Sequence, residues 1–118
     1  MEGTYMTFNE YQQEALRTAS GAVEANADNL LLNGVMGLNG EAGECIDIVK
    51  KYLFQGHNLD KEHIASELGD VLWYVAIAAE GLGYKLDDIR AMNVSKLRNR
   101  YPNGFEIDKS VNRSQTDI

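Results

Sequence analysis

The chain has 118 residues, 44% apolar and 25% charged, which is the balance of one globular domain with a modest core. A net charge of −7 argues against a nucleic-acid polymer as partner, because duplex binding needs a basic face. The longest apolar run, Val71 to Ala79, falls well short of the roughly 20 residues that span a bilayer, so no membrane partner is expected.

Thr7-Phe-Asn-Glu10 fits a capping box, in which a hydroxyl and a carboxylate satisfy the first free amides of a helix. A helix from about Phe8 to Glu24 follows, with Tyr11, Ala15, Leu16 and Ala19 as its apolar stripe. A second helical pattern runs from about Asp28 to Leu53, with Leu31, Val35, Leu38, Cys45 and Val49 on one side at about 100° per residue. It contains Gly34-Val-Met-Gly-Leu-Asn-Gly-Glu-Ala-Gly-Glu44, a glycine at every third position. Gly37 falls between Glu41 and Glu44 on the helical wheel, where a missing side chain would leave room for substrate. Gly43 faces elsewhere and suits close helix packing.

Gln55 to Asp60 is a turn cluster in which Asn58 or Asp60 caps the next helix. That third helix extends to about Glu80 and closes on Gly81-Leu-Gly83, a left-handed cap. A fourth helix spans about Asp87 to Tyr101, opening on two acids that suit the positive end of its dipole and stopping at Pro102. The segment after Phe105 is polar and expected to be extended or loose. The whole reads as one all-α domain over residues 1–118, a four-helix bundle with its core at about 7–107 and a polar tail at 108–118.

Glu41 and Glu44 are spaced i, i+3, about 60° apart on one helix face. Glu67 and Asp70 repeat that spacing on the third helix. A short connection makes the two helices antiparallel and can bring the pairs together. Acids on helices are usually a solvated face, but Ile64 to Ala79 is apolar almost all round, and acids within a buried helix need partners. Four converging carboxylates repel one another and lose solvation unless a cation joins them. Oxygen ligands suit Mg²⁺, which keeps several waters and is commonly completed by phosphate oxygens. Two histidines without matching spacing do not suit zinc; His63, one turn before Glu67, is either a neighbour of the ligands or a plain first-turn surface residue. Asn93, Lys96 and Arg100 share a narrow face of the fourth helix. A carboxamide, an ammonium and a guanidinium together suit phosphate oxygens, although cations near a helix C-terminus also serve the dipole. Trp73 and Tyr74 are either core residues or platforms for a base, and Tyr74 shares the face of Glu67 and Asp70.

Gly37-Leu-Asn-Gly-Glu-Ala-Gly-Glu44, Glu67-Leu-Gly-Asp-Val-Leu-Trp-Tyr74 and Asn93-Val-Ser-Lys-Leu-Arg-Asn-Arg-Tyr-Pro102 together resemble the MazG-like nucleotide pyrophosphohydrolases, within the all-α NTP pyrophosphatases. That family's signature is E-x-x-E followed by E-x-x-D, and the likeness covers about residues 7 to 107. The resemblance implies a helical bundle whose active site forms in a homodimer or homotetramer. It implies hydrolysis of a (deoxy)nucleoside triphosphate to the monophosphate and pyrophosphate with Mg²⁺, Mn²⁺ being a possible substitute; nucleotide-pool housecleaning is one role that fits. Carried over by residue, Glu41, Glu44, Glu67 and Asp70 become metal ligands, and Asn93 and Lys96 nucleotide contacts, with Arg100 or Tyr101 as additions. Many members carry a further glutamate where this chain has Gly40, which leaves the metal count open. A carboxylate not used fully as a ligand can accept the proton of the attacking water, and either Glu41 or Glu44 fits.

Two other readings stand beside this one. A non-catalytic helical oligomerisation or partner-binding module would have lost part of the set Glu41, Glu44, Glu67, Asp70 and Lys96, and none is missing. A phosphoribosyl-ATP pyrophosphohydrolase would share the fold, but the segment from Asn93 to Pro102 speaks for the MazG-like branch. The single Cys45 permits no internal disulfide, and no basic region followed by an apolar stretch opens the chain. A cytoplasmic location is therefore expected.

Overall fold

A computed structural model describes residues 5–19 and 25–118. It is all-α: α1 (Phe8–Leu16), α2 (Ala27–Phe54), α3 (Lys61–Leu82), α4 (Leu86–Arg100) and the short α5 (Ile107–Val111), with no strand among the described residues. None of these helices is long and apolar enough to cross a membrane. Contacts divide the chain into two compact units, Met1–Leu86 and Asp87–Ile118, each described below by itself.

Local chemistry sets most boundaries of the first unit. The capping box at Thr7 forms as expected, with the Glu10 amide donating to Thr7 Oγ1 at 3.0 Å and the Thr7 amide donating to Glu10 Oε1 at 3.3 Å. Asn26 caps α2 by accepting from the Asn29 amide. Of the two candidates before α3, Asp60 is the cap, accepting from the His63 amide at 3.0 Å. Gly83, at φ 79°, closes α3 in the left-handed region that glycine adopts without strain.

The predicted first helix is longer than the observed one. Regular α1 ends at Leu16, and Thr18 and Ala19 tighten onto Ala15 and Leu16 with i→i+3 bonds; residues 20–24 lie outside the described residues. A tertiary bond accounts for the change, because the Trp73 indole N–H donates to both the Ala15 carbonyl at 3.1 Å and Thr18 Oγ1 at 2.9 Å. That carbonyl serves α3 as well as its own helix.

α2 and α3 form an antiparallel pair, with Leu31 beside Gly81, Gly34 beside Ala78 and Gly37 beside Tyr74. A Cβ on Gly34 would sit 2.6 Å from Ala78 Cβ and 2.8 Å from its amide nitrogen, and one on Gly81 only 2.7 Å from the Ala27 carbonyl oxygen. The two helices therefore meet almost backbone to backbone at this end. The core there is Ala15, Leu30, Ala76, Ile77 and Leu86, flanked by Tyr11, Leu16, Trp73, Tyr74 and Val75.

Gln12 is the one buried polar side chain of that core among the described residues. Its Nε2 donates to Glu80 Oε2 at 3.1 Å and to the Tyr84 carbonyl at 3.0 Å, while its Oε1 accepts from the Leu86 amide at 2.8 Å. A carboxamide satisfied on both sides escapes the cost of an orphaned buried group. It ties α1 to the end of α3 and to the first residue of α4.

Burial corrects two expectations. Val35 and Val49, assigned to the inner stripe of α2, are 53% and 39% exposed; Leu31, Leu38 and Cys45 of that stripe are half-buried, and the most buried positions are Leu30 and Gly34. α3, apolar almost all round, is not buried all round, since Leu68 and Leu72 are exposed while Ala76, Ile77 and Ala79 are buried.

The second unit also differs from expectation. The segment after Phe105 is not simply loose: Ile107–Val111 turns into α5, and Arg100 Nε and Nη2 donate to Asp117 Oδ2 and Oδ1, both at 2.7 Å. This two-pronged ion pair, 12% and 19% exposed on its two sides, ties the end of the chain to α4.

Candidate metal centre

Below the close-packed end, the α2–α3 pair carries its acids. One carboxylate oxygen each from Glu41, Glu67 and Asp70 lies within 4.8 Å of the others. Glu41 and Glu67 are half-buried and Asp70 is exposed. Glu44, one turn beyond Glu41, is exposed and stands close enough to Glu67 to share a hydrogen bond when a proton is present. The spacings i, i+3 on each helix and the antiparallel packing together produce this convergence.

The electrostatics are those of too many negative charges in one place. Glu41 is raised from 4.5 to about 7, chiefly because its protonated form hydrogen-bonds Glu67, with burial and the charges of Glu44, Glu67 and Asp70 adding to the effect. Glu44 is raised as well, mainly by Glu67. Glu67 is held below the usual carboxylate range, first by the hydrogen bond from Glu41 and further by Glu44 and His63. One proton shared across Glu41 and Glu67 relieves like-charge repulsion.

Glu41 Oε2 and Glu67 Oε2 are buried and have no hydrogen-bond partner. Buried carboxylate oxygens without donors are costly unless a cation or proton meets them. Three converging carboxylates, two of which carry a buried oxygen without a partner, fit a hard divalent cation such as Mg²⁺ or Mn²⁺; among the described residues they form the one such cluster.

One neighbour escaped the sequence reading in this role, and a second was left open by it. Tyr11, seen only as part of an apolar stripe, has its phenol raised by burial and by the charge of Asp70. His63 reaches Glu67, with Nε2 3.2 Å from Oε1. Of the two roles that the i, i+4 spacing left open for His63, neighbour of the ligands or plain surface residue, this contact fits the first.

Two expectations about substrate contacts change. The space at Gly37 is not open, because a Cβ there would collide with the Tyr74 ring. Tyr74 is half-buried, packs against the core and meets Trp73 edge-on at 5.0 Å between centroids. Gly37 thus accommodates Tyr74, and Tyr74 serves packing. Gly43, assigned to close helix packing, has nothing within 4 Å of its added Cβ, and neither does Gly40; the close approaches belong to Gly34 and Gly81.

Asn93, Lys96 and Arg100 lie in the second unit. Asn93 and Lys96 are exposed. Lys96 and Arg100 line a cleft of about 820 Å³ together with Arg113, Ser114 and Asp117. The Arg100 donors are committed to Asp117 in this conformation, which the Arg100 pair holds below the usual carboxylate range, with Arg113 and Lys96 assisting.

A family model for the MazG nucleotide pyrophosphohydrolase domain matches residues 32–105, a span containing all four acids. The chain is also similar to the Gene 37 protein of Mycobacterium phage L5, at 37% identity over 109 residues, covering 87% of this chain and 96% of that protein. No solved structure matches the chain significantly. With the family match covering more than half of its length, the chain belongs to the MazG nucleotide pyrophosphohydrolase family.

Proposed function

We propose that this protein hydrolyses a (deoxy)nucleoside triphosphate to the monophosphate and pyrophosphate in a reaction dependent on Mg²⁺. The observation that carries this reading is the convergence of Glu41, Glu67 and Asp70 with two buried, partnerless oxygens. Those three residues hold the cation. When bound, Mg²⁺ neutralises phosphate charge and makes a coordinated water a stronger nucleophile at neutral pH. Glu44 stands beside the triad but outside it, exposed to water, so it is the carboxylate best free to accept the proton of the attacking water. Lys96, exposed and bound in no ion pair among those described, supplies a point charge for phosphate, and Asn93 a carboxamide.

A second copy of the chain completes the fold in this reading. Leu32, Met36, Ile46, Leu53 and Phe54 on α2 are each 60% exposed or more, and Leu68 on α3 is 55% exposed. So many large apolar side chains left exposed suit an interaction face, and they support a homodimer or a tetramer built from dimers.

The test is pyrophosphate release from a panel of common and damaged nucleotides, with Mg²⁺ and with chelator. Turnover of at least one nucleotide, abolished by chelator, is expected. Failure of every nucleotide, with Mn²⁺ binding unchanged in Glu67→Ala, would overturn the reading.

A further inference from the structure

We propose that His63 is a positioning residue for the cation site, donating from Nε2 to Glu67 Oε1 and so presenting Glu67 Oε2 to the cation. The inference rests on the metal site proposed above and adds a residue outside the E-x-x-E and E-x-x-D pairs.

His63 occupies the first turn of α3, where its backbone amide is fixed by the Asp60 cap at 3.0 Å. From there its side chain reaches one turn along the helix, and Nε2 comes within 3.2 Å of Glu67 Oε1. Of the two oxygens on Glu67, Oε1 therefore has a partner and Oε2, buried, has none. A carboxylate free to rotate offers either oxygen and loses rotamer entropy on binding. One with Oε1 already tied leaves Oε2, buried and without a partner, as the oxygen free for a cation.

Two of the other acids around the imidazole are engaged elsewhere. His63 shares a polar cavity of about 550 Å³ with Glu44, Asp47 and Asp60. Asp47 pairs with Lys51 at 3.0 Å, and Asp60 Oδ1 accepts the His63 amide. Glu67 is the acid that the imidazole meets. Its side chain is 13% exposed against 53% for His63, so the ring bridges solvent and a nearly buried ligand. Groups that orient a metal ligand in this way typically account for about 10- to 100-fold in metal affinity.

The experiment titrates Mn²⁺ into the metal-free full-length chain, read by electron paramagnetic resonance, for wild type, His63→Ala and His63→Gln. Binding is expected to weaken about 10-fold or more in His63→Ala and to recover largely in His63→Gln, whose Nε2 can still donate. The Mg²⁺ concentration for half-maximal turnover should rise in His63→Ala, while kcat at saturating Mg²⁺ is retained. Independently of any metal, ¹⁵N spectra of the neutral imidazole should show the proton on Nε2 in wild type and a mixture of tautomers in Glu67→Ala. Wild-type affinity in a folded His63→Ala, or no recovery in a folded His63→Gln, overturns the inference and leaves the proposed function standing. An Nε2–H tautomer with no Mn²⁺ binding by wild type overturns the metal site itself, and this inference with it.

Discussion

The two ends of the α2–α3 pair are built from similar residues and do opposite work. At one end Gly34 and Gly81 let the backbones touch, Gly37 seats the Tyr74 ring, and Ala76, Ile77 and Ala79 are buried. At the other, Gly40, Gly43 and Gly69 face open space and Glu41, Glu67 and Asp70 crowd together. Glycine in a helix costs roughly 1 kcal/mol relative to alanine. At the packed end close contact offsets that cost. At the acidic end nothing among the described residues does, and the carboxylates add repulsion. One end provides stability, and the other holds charge that a cation can relieve.

The sharpest way to break this contrast is Glu67→Ala. Mn²⁺ binding and pyrophosphate release should both fall by at least about 100-fold, since a ligand is removed, while the metal-free protein should melt no lower than wild type. A Glu67→Ala variant that unfolds would mean that the acids stabilise the pair rather than strain it.

At the packed end the expected damage is to folding. Gly34→Ala forces a methyl against the Ala78 backbone and should destabilise by about 1–3 kcal/mol in chemical denaturation. Gly37→Leu should likewise impair folding more than turnover per folded molecule, the reverse of what an open substrate pocket at Gly37 would give. Gly40→Ala, in open space on a helix, should instead stabilise by up to about 1 kcal/mol. Equal responses from Gly34 and Gly40 would erase the distinction between the ends.

A smaller effect lies in pH. Because Glu41 is raised to about 7 in the fold, it binds a proton more tightly folded than unfolded. Its contribution to stability is full below the ordinary carboxylate range and is lost as pH rises through about 7. The metal-free protein should therefore melt lower at pH 8 than at pH 5. Mg²⁺ should restore the loss at pH 8, and Glu41→Gln should flatten the dependence. The smallest effect belongs to the second unit. Asp117 is lowered by Arg100, so its contribution is present above the ordinary carboxylate range and disappears as pH falls through its lowered value. Asp117→Asn should release the C-terminal segment, seen as faster amide exchange at 112–118, without changing Mn²⁺ binding.

Much of this was legible in the chain itself. Hydroxyl and carboxylate caps, a glycine stop and a 3.6-residue period are local signals, so Thr7, Asp60 and Gly83 were readable as helix boundaries. The i, i+3 acids identified the candidate site because helical geometry alone puts them on one face. What periodicity could not supply was which neighbour each face would meet. Gly37 looked empty until Tyr74 filled it, and no periodicity pointed to Gln12, around which three partners from elsewhere in the chain close. α1 stopped at Leu16 because a distant indole bonded Ala15, and Arg100 turned to Asp117 rather than to open solvent. The sequence by itself determined the helices and the acids they carry, since those follow from hydrogen bonds and spacings within a few residues. The tertiary structure alone decided which glycines are contacts, which polar groups are satisfied and which carboxylate oxygens are left without a partner, because each of those depends on atoms brought together from far apart in the chain.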